Sequence, residues 1–372
     1  MKKHVTVLVS NDLEHDQRVA KVCSTLLGMG YEITLVGRML PGSKPMQRPY
    51  ETRRFHLLFH RGILFYIALH LRLFFYLLRK RTDLILANDL DTLLPAFIVS
   101  KLRNKKIVYD SHEYFTGAEG LTGRKFPTWA WTQIERYVFP RLRYVYTVNE
   151  SIAKIYRELY HVPVLVVRNV PPLVDPPMLM SRAELGLPPD KKILLLQGAY
   201  IDPDRGAVEA LRAMEFVDNA LLVIIGSGRS IPEIKKMAES PIYSGKILLL
   251  DKMPFAQLSQ YTRNADLGLS LDQPVHLNYK FSLPNKLFDY IHAGIPILAS
   301  DLPEIRRVFE KYSIGNIVKS IQPKELATAM HEALTSAMRD EWKIQLKRAR
   351  LENNWQQEEK ILVNLFSEVL PD

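Results

Sequence analysis

RNVPPLVDPPMLMSRAELGLPP, residues 168–189, divides a chain of 372 residues into two halves of similar texture. Six of its 22 residues are proline (171, 172, 176, 177, 188 and 189). Proline lacks an amide donor and fixes φ, so this density resists helix and sheet and reads as a linker. Length agrees, because a chain of this size exceeds one ordinary core and predicts two domains of about 150–200 residues.

Before the linker, short apolar runs alternate with helical patterns. Val5–Val9 reads as a strand, and Val19, Val22, Cys23 and Leu26 then recur at the spacing of one helical face, closed by Gly28 and Gly30. Glu32–Val36 begins a second strand, Leu84–Ala87 a third and Ile107–Tyr109 a fourth, with Tyr144–Val148 and Val164–Val167 after them. An apolar helix runs from the Asn88–Asp91 segment to Leu102. After the linker, Lys192–Gln197, Leu221–Gly226, Ile247–Leu250, Leu267–Leu269 and Ile297–Ala299 repeat the alternation. Such order predicts α/β architecture: two Rossmann-like, doubly wound parallel sheets facing a cleft. The predicted divisions are 1–170, a linker 171–190, a second domain 191–340, and a helical segment 341–372. That last segment carries Trp342, Trp355, Ile361, Leu362, Leu365 and Phe366, so it packs on its own lobe or returns to the first. In open α/β sheets ligands sit beyond the carboxyl ends of strands, so the polar residues there are the ones to inspect.

Charge is one-sided. Residues 1–185 carry 27 Lys and Arg against 16 Asp and Glu, a net of +11, whereas the remainder nets −1. A basic half fits an anionic membrane surface, a phosphorylated lipid or nucleic acid, or is a solvated face. No nucleic-acid motif accompanies it, which leaves nucleic acid the weakest of these. Cys23, the one cysteine, has no internal partner, and Val5–Val9 is too short for a secretory signal. Both point to a cytoplasmic, reducing setting. The stretch GILFYIALHLRLFFYLL, residues 62–78, carries His70 and Arg72 and precedes Arg79-Lys80-Arg81. It is short for a bilayer span, which needs about 20 apolar residues. It reads as a helix buried on the first sheet, or as one lying in a membrane interface.

Anion recognition is written most clearly at Phe281-Ser282-Leu283-Pro284-Asn285-Lys286-Leu287-Phe288-Asp289. Ser282 is the expected helix N-cap, Pro284 the first turn, and free amides with Lys286 would face a phosphate. Asp289, one turn on, is placed to accept from a ribose diol. Upstream, Gly198 ends a strand, Arg205-Gly206 opens a helix, and Gly226-Ser227-Gly228 lets a ligand approach the backbone.

In that order these pieces resemble glycosyltransferase family 4, the retaining GT-B enzymes, over nearly the whole chain. Gly198 with Arg205-Gly206, Gly226–Gly228, and Asp289 followed by Gly294-Ile295-Pro296 match the family's successive motifs. SNDLEHDQRVAKVCSTLLGMGYEITLVGR, ANDLDTLLPA and VYDSHEYF are similar to members acting in surface-polysaccharide or lipopolysaccharide assembly. The resemblance implies a UDP- or GDP-type nucleotide-sugar donor, a saccharide or lipid-linked acceptor, and a location on the inner face of the membrane. It implies donor contacts from Arg205, Ser282, Asn285, Lys286 and Asp289, with Asp251, Lys252 and Met253 near the base. Asn11, Glu14 and Arg18 would meet the acceptor, and His112, Glu113 and Asp16 would carry catalysis. No metal or cofactor is expected, because two cations replace it on the leaving diphosphate. Asp89-Leu90-Asp91 and Asp202-Pro203-Asp204 look like a metal-binding Asp-x-Asp, yet each follows a strand of a doubly wound pattern and reads as loop polarity.

Departures from the family are specific. Its paired glutamates, eight residues apart, are Phe281 and Asp289 here, and its arginine after the first glycine is Ala199. A nucleotide-sugar epimerase using Glu113, Asp110 and Glu304, or a non-catalytic sugar-nucleotide binder, are the competing readings. A dinucleotide site is disfavoured, since Gly226-Ser227-Gly228-Arg229-Ser230-Ile231 lacks the third glycine.

Overall fold

The computed structural model describes residues 2–14, 16–175 and 177–371. Pro176, one of the six linker prolines, lies outside them, as do the outermost bounds of the first and last predicted segments. Two compact units emerge: residues up to Asn169 together with those from Glu358, and Val170–Gln357.

The first unit holds β1 (His4–Leu8), α1 (Gln17–Gly28), β2 (Glu32–Met39), β3 (Glu51–His56), α2 (Gly62–Arg79), β4 (Leu84–Asn88), α3 (Leu90–Leu102), β5 (Lys106–Ser111), α4 (Lys125–Val138), β6 (Tyr144–Thr147), α5 (Glu150–Tyr160) and β7 (Leu165–Val166). Its seven strands pair in parallel in the order β3-β2-β1-β4-β5-β6-β7. Every residue of β1 and β4 is buried. A parallel strand covered on both faces needs continuous apolar character rather than alternation, as HVTVL and LILAN nearly supply.

The second unit begins with β8 (Lys192–Gly198), α6 (Ala207–Ala213), β9 (Ala220–Gly226), α7 (Ile231–Ala238), β10 (Ile247–Leu250) and α8 (Phe255–Asn264). It continues through β11 (Leu267–Ser270), α9 (Leu277–Lys280), α10 (Asn285–Ala293), β12 (Ile297–Ser300), α11 (Pro303–Lys311), β13 (Gly315–Val318), α12 (Pro323–Thr335) and α13 (Arg339–Glu352). Its parallel sheet runs β10-β9-β8-β11-β12-β13, the doubly wound order. In each sheet the order reverses beside one strand pair, β1/β4 and β8/β11, and ligand sites of such sheets form at the carboxyl ends there.

Three corrections concern elements. The apolar pattern does not predict the strands β3 and β13; both lie at sheet edges, and ETRRFH and GNIV lack an apolar run. The segment 341–370 is not one helix. α13 stops at Glu352, and α14 (Trp355–Val369) starts after Asn353-Asn354. Asn354 turns the chain, its Oδ1 accepting from the Gln357 amide at 3.2 Å. The predicted boundary at 341 also moves, because residues up to Gln357 group with the second unit. Leu362, Leu365, Phe366 and Val369 are buried, and Tyr31 Oη lies 3.4 Å from the Phe366 carbonyl. The linker has no helix or strand among its described residues, yet Val170, Leu185 and Leu187 lie in the second unit's core.

α2 keeps four of its eighteen residues buried: Phe65, Leu69, Leu73 and Leu77. They recur every fourth residue and form one stripe. The expectation of burial therefore holds for that stripe alone.

Candidate active site

In the second unit, three charged side chains meet just past β11. Asp272 is fully buried, with Arg205 Nη1 2.7 Å from one carboxylate oxygen and Lys286 Nζ 3.0 Å from the other. Burial opposes the Asp272 charge, but Lys286 and Arg205 outweigh it and hold its pKa below the ordinary value. Arg205 also stacks its guanidinium 4.2 Å from the Tyr279 ring centroid. Two cations from separate helix starts are thus brought to one point by a carboxylate absent from the sequence reading.

Gly206 explains the approach of Arg205. It caps α6 at φ 75°, and a Cβ there would lie 2.3 Å from Leu271 Cβ. Lys286 sits in the first turn of α10, where the free amides and dipole favour an anion. The expected cap is corrected: α10 begins at Asn285, the capping position is Pro284, and Ser282 Oγ is buried without a partner. Proline, having no side-chain acceptor, leaves the first amides of α10 uncapped by it.

Asp289 lies one turn further and accepts from Gln197 Nε2 at 3.0 Å, while Gln197 Oε1 accepts from Thr262 at 2.8 Å. Its neighbour Tyr290 is buried, and its hydroxyl lies 3.1 Å from the carbonyls of Leu195 and Leu269. That phenol ties β8 to β11 and orients the helix turn bearing Asp289. Asp272 carries no motif signal, and the places of Gln197 at a strand end and Tyr290 after Asp289 do not tell that their side chains brace this turn.

The Gly-Ser-Gly turn packs closely on the loop at Ile201. A Cβ on Gly226 would stand 1.9 Å from the Gly198 carbonyl, and one on Gly228 2.4 Å from Ile201 backbone atoms. Ile201 N donates to Ser227 O at 2.6 Å, and Ser230 N to Ile201 O at 3.1 Å. These glycines admit the close approach of the neighbouring loop. Asp202 clamps the same loop, accepting from the Arg229 amide at 2.9 Å. Asp251 and Lys252 are exposed and Met253 half-buried at the end of the edge strand β10.

The first unit's polar residues gather at the ends of β4 and β5. His112 Nε2 lies 3.2 Å from both Asp110 Oδ2 and Asn88 Oδ1, and Nδ1 3.4 Å from Asp89 Oδ2. Asn88 Nδ2 donates to the Leu8 carbonyl at 2.9 Å, joining the cluster to β1. Asp89 has φ 59° and ψ 163°, a region nearly reserved for glycine. Its conformation is held by an amide bond to Asp110 O (2.9 Å) and a carboxylate bond from the His112 amide (2.8 Å). Burial disfavours the imidazolium, but Asp89 and Asp110 outweigh it and raise the His112 pKa to about 9. The ring is therefore a charged donor at neutral pH, not a base. Burial, then Asp89, lifts Glu113 to about 7 and Asp91 likewise to about 7. Carboxylates so displaced beside a cation mark a functional cluster.

Residues 17–176 match the model of glycosyltransferase family 4, and residues 180–356 the model of group 1 glycosyl transferases. The chain belongs to this glycosyltransferase family. No protein of curated function matches it by sequence. The glycosyltransferase has the GT-B fold of several solved structures. A Rickettsia africae glycosyltransferase aligns at TM-score 0.75 and 10% identity, covering 100% of this chain and 99% of that one. Anabaena HepE in complex with UDP and glucose aligns at 0.70 and 12%, covering 98% and 100%. WaaG, a glycosyltransferase involved in lipopolysaccharide biosynthesis, aligns at 0.66 and 14%, covering 99% and 100%.

Several expected contacts of the glycosyltransferase are placed otherwise. Arg18 does not face an acceptor. It is 4% exposed, and its fork closes on Asp110 at 2.8 and 3.0 Å while Nη1 donates to Val167 O. Asp16 caps α1, accepting from the Val19 amide at 3.0 Å and from Asn11 Nδ2 at 2.7 Å, which makes it a positioning group. Asn11 is exposed and Glu14 half-buried in the loop after β1. Glu304 is buried beside Arg307 at 2.5 Å, on α11. Among the described residues no three His, Cys, Asp or Glu side chains are grouped to hold a metal.

Proposed function

We propose that this glycosyltransferase moves a sugar from a UDP- or GDP-type nucleotide-sugar to a saccharide or lipid-linked acceptor with retention and without a metal. The observation carrying the donor half is the convergence of Arg205 and Lys286 on Asp272. A bound diphosphate supplies the negative charge both cations are arranged to meet, and the charge that grows on the leaving oxygen strengthens both contacts. Asn285 opens α10 beside Lys286, Asp289 takes the ribose, and Asp251–Met253 flank the base.

In the first unit, charged His112 donates to the transferred sugar, and Glu113, half ionised near neutrality, takes the acceptor proton. Asn11 and Glu14 border the acceptor, while Asp16 and Arg18 hold the shape of the pocket wall. Retention follows the family, with the leaving diphosphate assisting attack on its own face of the sugar. The UDP and glucose held by HepE, and the role of WaaG in lipopolysaccharide biosynthesis, support a part in surface-polysaccharide synthesis on the inner face of the membrane.

The test is titration calorimetry with UDP and GDP. Lys286→Ala and Arg205→Ala should each weaken binding by about ten- to a hundredfold, since a charge-assisted contact contributes roughly 1.5–3 kcal/mol. Unchanged affinity in both variants would remove the donor assignment. Turnover with a labelled donor in EDTA decides the metal question, and full loss of activity rejects that part.

A further inference from the structure

α2 carries a second apolar stripe opposite its buried one. Leu64, Ile67, Leu71 and Phe75 recur at i, i+3, i+7 and i+11, and each is between 48 and 53% exposed. Leu58, just before the helix, is 93% exposed. A helix at the surface of a globular unit normally turns charged residues outward here, and a contiguous apolar row marks a contact surface.

Charge identifies what the surface meets. Residues 52–82 contain seven Lys and Arg and no Asp or Glu. Arg53, Arg72 and Arg79 edge a hollow of about 430 Å³ walled by Phe55, Phe75 and Tyr76. Glu51 is also there, but Lys80 holds it at 2.8 Å and Thr34 donates to it at 2.7 Å. Those bonds keep Glu51 ionised below the usual range, so the pair cancels and the three guanidinium groups set the sign. Among the described residues no carboxylate pairs with Arg53, Arg72 or Arg79. Phe75 belongs to both features, which makes the cationic hollow continuous with the apolar stripe.

We propose that the first unit docks on an anionic phospholipid surface through this face of α2, with a lipid phosphate in the Arg53–Arg72–Arg79 hollow. The stripe enters the boundary between headgroups and acyl chains, and the arginines stay at phosphate level. A second copy of the chain is disfavoured as occupant, because it would press one wholly cationic segment against another. The inference sharpens the membrane part of the proposed function, and its test involves no sugar transfer.

The experiment is co-sedimentation of the full chain with phosphatidylglycerol–phosphatidylcholine vesicles and with phosphatidylcholine vesicles, at low salt. Binding is expected to the former only. Leu71→Glu removes the stripe's centre and Arg72→Glu reverses one edge of the hollow, and each should weaken binding about tenfold or more. Both positions are exposed, so thermal midpoint and UDP binding should match the unsubstituted chain. The proposal is overturned if the chain stays in the supernatant with anionic vesicles, or if neither substitution changes sedimentation. It is also overturned if light scattering shows a dimer that Leu71→Glu dissociates while vesicles bind nothing. An unsubstituted chain that binds anionic vesicles but neither UDP nor GDP would sink the donor assignment alone.

Discussion

Lys286 Nζ stands 3.0 Å from a carboxylate oxygen of fully buried Asp272. Asp272→Asn leaves Lys286 and Arg205 close together with no neutralising charge. Removing one partner of a buried pair typically destabilises by about 3–5 kcal/mol, so the melting temperature should fall by several degrees. UDP should then raise the midpoint more in the variant than in the unsubstituted chain. Equal ligand-induced shifts would show that the diphosphate does not meet these cations.

Arg18→Ala strands the Asp110 carboxylate inside the first unit. The expected loss is again about 3–5 kcal/mol, read from urea denaturation. Arg18→Lys, which keeps the charge but not the fork, should lose less and leave the acceptor KM unchanged. A raised KM at unaltered stability would return Arg18 to the acceptor site.

Stability should fall on the alkaline side through His112. Its pKa in the fold is about 9 against an ordinary 6.5, so the folded state keeps a proton that the unfolded chain releases between those values. The contribution is full below pH 6.5 and disappears as pH rises through 9. It is on the order of 3 kcal/mol, at roughly 1.4 kcal/mol per pH unit. Unfolding free energies of the parent chain and His112→Gln should diverge at pH 6 and converge near pH 10; a constant gap contradicts the charged ring.

Gly226→Ala tests the packing role of the Gly-Ser-Gly turn. Its Cβ would meet the Gly198 carbonyl at 1.9 Å, so β8 and β9 must shift apart. A large drop in thermal midpoint is expected without any donor present. A variant of unchanged stability that binds UDP poorly would assign the glycines to ligand contact instead.

Alternating apolar runs and helical periods expose eleven of the thirteen strands among the described residues, because central parallel strands must be apolar throughout. The edge strands β3 and β13 have one open flank and need no such run. Arg205 and Lys286 were legible because a cation at a helix start runs against the dipole, and Asp289 because it lies one turn beyond Lys286 on the same face. Asp272 was not, since a lone acid after a strand resembles any loop residue until the fold brings two cations to it. The glycines signal close backbone approach, but sequence does not say that the loop at Ile201 is among what approaches them. Arg18 misled, because sequence cannot tell a loop-adjacent arginine that points outward from one that closes on Asp110.

α14 begins in the second unit and, from Glu358, completes the first. Arg168 Nε donates to Glu358 at 2.9 Å, Thr25 to Glu359 at 2.8 Å, and Phe366 fills the core beside Tyr31. During synthesis the N-terminal half therefore emerges first, and Leu362, Leu365, Phe366 and Val369, which its unit buries, follow only at the end. Its α1 flank stays open throughout translation of the second unit, so the first unit is completed only after the second has been made.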